Sequence, residues 1–288
     1  ITPFSSIDDV KKEFAILREI QSINENDTIS FPHSSSEDID YALKVLRVEN
    51  GVLSLEELVR VYQLCLGTDA LVEFAKKNQH EYPKIWQSCE HIERVQDIIK
   101  LIRSILNKNL GIDDKATNQL NVIRKQVKSV KIEIDKNFNR VLRQYKEEDI
   151  LDSTEETFLD NRRLLVVISA HKRKVQGKIQ GVSGKGNFSY VEPGVNLHLN
   201  KQLDKLIIEE SNEIFKILQE ITLSLRAEKR NLKAFERLLI RFDLYNAKVR
   251  FSHTYNGIIP EINAESKMYC ENAIHPILFL KNTALKEE

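Results

Sequence analysis

Residues 181–194, GVSGKGNFSYVEPG, are the stretch of this sequence with the composition closest to a phosphate-binding loop. A Walker A loop requires G-x-x-x-x-G-K-[ST], because backbone amides cradle the phosphates and the final hydroxyl binds magnesium. Here Ile179 stands where the first glycine is needed, Gly186 replaces the hydroxyl residue, and a β-type run follows instead of a helix. We therefore predict that residues 183–187 turn a β-hairpin and do not hold a nucleotide.

Other residues that could carry chemistry are scattered along the chain. Cys65, Cys89 and Cys270 lie far apart without C-x-x-C spacing, which predicts buried, reduced thiols and neither a disulfide nor a metal site. The seven histidines show no metal-ligand spacing, and no nucleophile elbow or Ser/His/Asp set is visible. Acidic runs such as Glu209-Glu210 are interpreted as solvated helix faces. We predict no catalytic residue, cofactor or metal ion in this chain.

One segment is unusual in its charge. Residues 161–191 contain no Asp or Glu, although the whole chain balances 43 basic against 43 acidic residues. Such a basic segment suits contacts to phosphates, which are independent of sequence and sensitive to salt. The alternative is a solvated turn whose lysines discourage edge-to-edge strand pairing. Aromatic residues 188 and 190 are expected to pack under the hairpin rather than stack on bases. The positive charges are Arg162, Arg163, Lys172, Arg173, Lys174, Lys178 and Lys185, with His171 beside them.

The elements that must position this segment are mostly helical. Residues 6–110 alternate short helical patterns with turns, and Ser54 before LEE and the Ser/Glu/Asp run that opens SSSEDIDYALKVLRVE (34–49) are helix start signals. Residues 113–148 form a helix whose apolar seam steps by three and four residues with one stutter. A matching stripe occupies residues 203–225, so an antiparallel helix pair with the β segment inserted is predicted, and a parallel homodimeric coil is the alternative. The seam consists of Leu120, Ile123, Val127, Val130, Ile134, Phe138, Val141 and Tyr145.

The ends and the bulk composition add two expectations. No apolar run reaches the length of a membrane span, and residues 1–10 lack the features of a signal peptide, so we expect no membrane association and a cytoplasmic location. The chain does not begin with Met, and we therefore expect it to be a segment of a longer protein.

In their shared order, several motifs resemble the MutS family, and most closely its second bacterial subfamily. DDKATNQLNVIR (113–124) resembles the D-x-A-S-x-x-L-x-x-I-R entry into the first lever helix, with Thr117 in place of Ser. Residues 161–193 resemble the clamp hairpin, although Gln180-Gly181 replaces a His-Asp pair and Val167 replaces a proline. VLSLEELV, RFDLYNAKVRFS and ENAIHPIL resemble further segments, the last being the lead-in to the ATPase domain.

The resemblance implies a mainly α fold, in which a helical core domain carries a long antiparallel coiled-coil lever with a small β-hairpin clamp at its tip. The implied domains are 1–112, the first part of the helical core, and 113–226, the lever and clamp with the β region at 161–193. Residues 227–272 would return to the core, and 273–288 would lead into an ATPase domain.

The same resemblance implies a function. The chain would be the DNA-binding core and clamp segment of a MutS-type ATPase, contacting the backbone of duplex or branched DNA in recombination suppression or DNA repair. It also implies ATP and Mg²⁺ in the ATPase domain, a nuclease module and a homodimer for the full-length protein, whereas the segment alone could be a monomer. Alternatives are a ribosome-binding clamp of a ribosome-rescue ATPase and a coiled-coil adaptor for another protein. The candidate phosphate contacts are His171, Lys172, Arg173, Lys174, Lys178 and Lys185.

Overall fold

The computed structural model describes residues 6–25, 31–32, 38–265 and 267–287, and over these residues the chain is mainly α-helical, as predicted. None of the described helices combines the length and hydropathy that crossing a membrane requires. The strands are β1 (Leu151–Leu159), β2 (Arg162–Ile168), β3 (Gly177–Val182) and β4 (Phe188–Pro193). The helices are α1 (Ile7–Glu25), α2 (Asp40–Val45), α3 (Leu55–Lys77), α4 (Pro83–Cys89), α5 (Val95–Arg103), α6 (Asn118–Glu147), α7 (Leu197–Ala227), α8 (Lys229–Thr254) and α9 (Pro276–Glu287).

The chain divides into two compact units, Ile1–Ser104 with Gln219–Glu288 (unit 1) and Ile105–Leu218 (unit 2). Over its described residues, unit 1 contains α1–α5, the end of α7, α8 and α9. The helix start predicted at Ser54 is confirmed, because its hydroxyl accepts the amide of Glu57 at 3.2 Å. The start signal at 34–37 lies outside the described residues, and α2 is described from Asp40.

A buried polar contact joins α1 to α8 within unit 1. The Tyr245 hydroxyl donates to Glu13 Oε1 at 2.6 Å, and the Arg241 guanidinium pairs with the same carboxylate. Burial raises the pKa of Tyr245, and the hydrogen bond to Glu13 raises that pKa further. The phenol is therefore held in its neutral, donating form, which satisfies a carboxylate that is itself buried.

In unit 2, α6 and α7 pack side by side in opposite directions. The order of three contacts shows the direction: Thr117 Oγ1 donates to Glu213 at 2.8 Å, Arg124 Nε to Glu210 at 2.8 Å, and Asn196 Nδ2 to the Ile134 carbonyl at 3.1 Å. The partner numbers fall as the α6 numbers rise. Between these contacts lies an apolar cluster of Ile123, Val127, Val130, Ile134, Leu199 and Leu206.

The remaining part of the α6 seam has a different partner from the one predicted. Phe138 and Tyr145 are buried against Leu165, Val167 and Val191 of the sheet, not against α7. One apolar stripe on α6 therefore packs on a helix along its first half and on a sheet along its second half. The coiled-coil geometry of the predicted lever stays a prediction.

The sheet is antiparallel throughout, with strand order β1-β2-β4-β3. The hairpin predicted around residues 183–187 is confirmed by the pairing of β3 with β4. Strand β1 was not predicted from the sequence. Its signal is the Asp160-Asn161 pair, since both residues have positive φ (48° and 59°), the geometry of a tight two-residue hairpin turn.

The prediction that all three cysteines are buried is confirmed for two of them and wrong for the third. Cys65 and Cys89 are buried, as predicted, whereas Cys270 is exposed, which is contrary to prediction. Burial raises the pKa of Cys65 to about 12, with a further contribution from the charge of Asp69, and burial alone raises the pKa of Cys89 to about 12. Both thiols are therefore protonated at neutral pH and shielded from reagents.

We expect iodoacetamide at pH 8 to alkylate Cys270 in the folded chain and to leave Cys65 and Cys89 unmodified, because the thiolate is the reactive form. Peptide mass spectrometry before and after unfolding in urea measures the three sites separately. Modification of Cys65 in the folded chain at the rate seen for Cys270 would contradict the burial described here.

Replacing Phe138 with Ala should destabilise the sheet, because this fully buried ring joins α6 to β2 and β4. The expected loss is about 3–5 kcal/mol, since the substitution removes apolar contact and leaves a cavity. Amide hydrogen exchange of β2 and β4 in the full chain measures it. The matched control is Phe158→Ala on β1, whose ring is 70% exposed and whose loss should leave protection nearly unchanged.

Candidate nucleic-acid interface

The six candidate contacts lie on or next to the outer strand β3 and its two connections. His171 ends a 3-10 turn after β2, Lys172, Arg173 and Lys174 follow in the connection to β3, Lys178 lies on β3, and Lys185 lies in the β3–β4 turn. All are exposed except His171, which is half-buried. We call this set of six residues the basic edge.

The β3–β4 turn that carries Lys185 is held by hydrogen bonds of its own. The Ser183 hydroxyl accepts the Phe188 amide at 3.1 Å, and the Gly186 amide donates to the Ser183 carbonyl at 2.8 Å. Gly186 has φ of 73°, a conformation that side chains other than glycine rarely adopt. The glycines thus shape a hairpin turn with Lys185 at its centre.

The turn does not provide an ATP site. Its backbone leads from one antiparallel strand directly into the next, so its amides do not open a helix as a phosphate-cradling loop requires. This turn therefore does not fit a nucleotide phosphate, and the ATP and Mg²⁺ that the family resemblance implies for another domain stay an expectation.

The connection that carries residues 171–174 is fixed at both ends. At its start the Ser169 amide donates to the Asn187 carbonyl at 2.9 Å. At its end Val175 is buried in the cluster beneath the sheet, and the Gln176 amide donates to the Tyr145 hydroxyl at 3.0 Å. The cations between these points are therefore presented by a short, anchored segment.

Glu192 is the carboxylate nearest to the basic edge in the strand register, where it lies opposite Lys178. It is fully buried, and both oxygens are occupied: Arg162 donates to them at 3.1 and 3.3 Å, and Asn200 of α7 donates at 2.6 Å. The Gln180 side-chain amide of β3 donates to the same group. One buried acid thus ties together β2, β3, β4 and α7.

Two of the seven positive charges noted in the sequence are neutralised inside unit 2. Arg162 pairs with Glu192 and also with Asp204 at 2.7 Å. Arg163 pairs with Glu156 at 2.6 Å and lies over the Phe138 ring, 4.3 Å from its centroid. Within the described part of the chain, the structure records no ion pair for the six residues of the basic edge. Five lysine and arginine charges and one histidine therefore remain for a ligand.

Apart from the buried Glu192 on β4, the acidic side chains of the sheet lie along the opposite edge. Strand β1 carries Asp152, Glu155 and Glu156, and the strand order places two strands, β2 and β4, between β1 and β3. Glu155 pairs with Lys146 at 2.6 Å, so its charge is compensated on α6. The sheet is therefore acidic on one edge and basic on the other, a distribution that favours an anionic ligand at β3.

Phe188 and Tyr190 were expected to pack rather than to stack on a ligand. Both are half-buried on β4, and a Cβ added to Gly181 would lie 3.4 Å from the Tyr190 ring. Tyr190 thus covers the glycine of the neighbouring strand. For Tyr190 this packing is the arrangement that the sequence favoured.

Three carboxylates in unit 1 come close enough together to hold a cation. Oxygens of Asp38, Asp40 and Glu236 lie within 4.8 Å of one another. Asp38 accepts the Asp40 amide at 2.8 Å, and Glu236 accepts the amide of Ile39. Burial raises the pKa of Glu236, and the charge of Asp40 adds to that shift. These contacts satisfy free amides at the start of α2, which explains the cluster without a metal ion.

Comparison with known proteins shows what this chain is similar to. No family model matches it. Over 280 residues, 97% of the chain, it is 24% identical to a protein named endonuclease MutS2 from Aquifex aeolicus. It is 27% identical over 83% of its length to endonuclease MutS2 from Thermotoga petrophila, and 26% identical over 79% to that from Staphylococcus epidermidis.

These alignments cover 36%, 31% and 30% of the three relatives, so the chain spans about a third of the length of the proteins it matches. The resemblance to the second bacterial MutS subfamily is confirmed. The structure also gives the motif residues roles within unit 2: Thr117 caps α6 by accepting the Leu120 amide at 3.0 Å, and Arg124 binds Asp114 and Glu210.

Glu192 is the residue at this interface whose role the sequence did not reveal. Its position before a proline at the end of a β run was noted only as part of the family motif. Because its partners Arg162 and Asn200 are separated from it by 30 and 8 residues, no local pattern identifies the network.

Replacing Glu192 with Gln should lower the stability of β3 and β4, because the change removes the charge that compensates Arg162 in a buried position. We expect a loss of about 3 kcal/mol. Hydrogen exchange of β3 and β4 amides in the full chain measures it. Glu209→Gln on α7, an exposed site, is the matched control, and equal protection in the two variants would show that the network does not stabilise the sheet.

Proposed function

We propose that this chain, similar over most of its length to proteins named endonuclease MutS2, binds the phosphate backbone of DNA along the basic edge. The observation that carries the proposal is the set of exposed cations on β3 and its connections, for which the described structure records no ion pair. Arginine and lysine placed in this way contact phosphates without reading bases, so binding would be independent of sequence and sensitive to salt.

The dimensions of β3 suit such a ligand. Six residues of a strand span about 17 Å at roughly 3.3 Å per residue. Since duplex DNA rises about 3.4 Å per base pair, this edge would lie along about five base pairs. Lys185 and Lys178 stand near opposite ends of the strand, with residues 171–174 in the connection that leads into it. Several phosphates could therefore be contacted together.

The wider role is part of the same proposal. The sheet would be the clamp and the antiparallel α6 and α7 the lever of a MutS-type ATPase acting on duplex or branched DNA in recombination suppression or repair. The full-length protein would be a homodimer that uses ATP and Mg²⁺ in its ATPase domain. Because the relatives are named endonucleases, we also expect a nuclease activity in the full-length protein. The basic edge would supply binding and positioning for these activities.

Ribosomal RNA is the second candidate ligand, because it presents the same phosphate groups at high density. The basic edge alone does not discriminate between the two polymers, since it offers charge and no base-reading groups. Co-sedimentation of the chain with ribosomes, compared with its binding to a DNA duplex at the same ionic strength, distinguishes the two ligands. A third possibility, a protein partner on the helices, would show as capture that survives high salt without nucleic-acid binding.

Changing Lys172, Arg173, Lys174 and Lys178 to Gln should weaken duplex DNA binding strongly, because each residue is expected to contact a phosphate. The slope of log affinity against log salt should fall by about 3 to 4, since each lost contact removes close to one released counterion. Fluorescence anisotropy with a labelled duplex at several salt concentrations measures both quantities.

The matched control changes four exposed lysines of α6 to Gln, an equal loss of charge on the same unit. It should alter the affinity and the slope much less, because these residues lie outside the basic edge. Equal effects of the two quadruple variants would reject the assignment of the site. The control residues are Lys125, Lys128, Lys131 and Lys136.

A further inference from the structure

A cleft of about 510 Å³ opens in unit 2 beside the basic edge. Its walls come from the second half of α6, from the residues that precede β3, and from the junction between β4 and α7. Lys174 belongs both to the cleft and to the basic edge, so the two are continuous. The volume lies within the range of sites that hold small organic ligands.

Two cations line this cleft from different elements. Arg140 projects from α6 and Lys174 from the connection between β2 and β3. Both side chains are exposed, and neither takes part in an ion pair that the structure records within its described residues. The one carboxylate in the lining, Glu148, accepts a hydrogen bond from Gln144 at 3.2 Å. The lining therefore carries a net positive charge.

Neutral donors complete the lining. The Tyr145 hydroxyl accepts the Gln176 amide at 3.0 Å, and its own proton has no recorded acceptor among the residues that the structure describes. Gln176 also borders the cleft. Tyr145 is buried and fixed by packing against the sheet, so its hydroxyl is held in place before any ligand arrives. Cations with preformed neutral donors are the groups that bind phosphate oxygens.

We propose that this cleft binds a phosphate group, with Arg140 as its principal ligand and Lys174 and the Tyr145 hydroxyl as the others. The guanidinium offers two parallel donors that match two phosphate oxygens, which a lysine cannot do. The cleft is larger than one phosphate, so the sugar or base attached to that phosphate would also enter it. The charge pattern of the sequence did not identify Arg140, because this residue lies outside residues 161–191, the segment without Asp or Glu.

The phosphate could come from two sources. One is the backbone of the nucleic acid on the basic edge, and in that case this inference rests on the proposed function. The other is a free nucleotide, which would bind whether or not the chain binds a polymer. The chemistry recognised is the same, and the experiment must distinguish the two.

The test compares Arg140→Gln with Arg143→Gln. Both residues are exposed on α6 and the changes are identical, but Arg143 does not line the cleft. In the polymer arm, if the phosphate belongs to the polymer, R140Q should lower affinity for a labelled duplex about tenfold and lower the salt slope by about 1, whereas R143Q should stay within about twofold of the parent chain.

The second arm uses inorganic phosphate and adenosine monophosphate with the ¹⁵N-labelled chain. If the source is a free nucleotide, the Gln176 and Gly194 amide resonances shift saturably in the parent chain and in R143Q but not in R140Q. If the source is the polymer backbone, these small ligands cause no saturable shift and only the polymer arm responds. Equal behaviour of R140Q and R143Q in both arms overturns the proposal.

A further variant keeps this failure distinct from failure of the proposed function. Lys178 and Lys185 belong to the basic edge and do not line the cleft. Weaker duplex binding by K178Q/K185Q, together with equal behaviour of R140Q and R143Q in both arms, would reject the cleft alone. Unchanged duplex binding by K178Q/K185Q and by the quadruple variant would reject the basic edge. The experiment with inorganic phosphate and adenosine monophosphate would then test the cleft by itself. Circular dichroism melting confirms that each variant is folded.

Discussion

Burial of a single carboxylate, Glu192, is the constraint on which the proposed interface depends. A charged group removed from water must be compensated, and Glu192 is compensated by Arg162 and by amide donors from β3 and α7. Its bonds fix the outer strand to the rest of the sheet. They also occupy the acid that lies opposite Lys178, the one cation on β3, so Lys178 keeps no internal partner among the recorded contacts. Stability of the sheet and availability of the Lys178 charge thus have the same origin.

Helix α6 shows how one apolar stripe can serve two partners. Its residues step by three and four from Leu120 to Tyr145, a period that keeps them on one face whatever lies opposite. Along Ile123–Ile134 that face meets α7, and at Phe138 and Tyr145 it meets the sheet. The helix is therefore the common support of the α7 pairing and of the sheet, and its polar flank contributes Arg140 to the cleft.

The charges of unit 2 are separated in a way that a zero net charge conceals. Arg162 and Arg163 form ion pairs within the unit, and apart from the buried Glu192 the acidic residues of the sheet lie on β1. What remains exposed at β3 is positive. A surface of this kind attracts phosphates over a distance of about 10 Å at moderate ionic strength and selects by charge and spacing, not by base sequence.

The sequence by itself determined the mainly helical class, the cap at Ser54, the seam of α6 and the β3–β4 hairpin, because each depends on neighbours within a few residues. Only the tertiary structure decided which of the basic residues are free, since Arg162 meets partners 30 and 42 positions away. It also decided that α6 ends against a sheet, that β1 completes that sheet, and that Arg140 shares a cleft with Lys174. Periodicity specifies which face of an element is apolar, but the partner of that face and the meeting of distant charges are set only when the chain has folded.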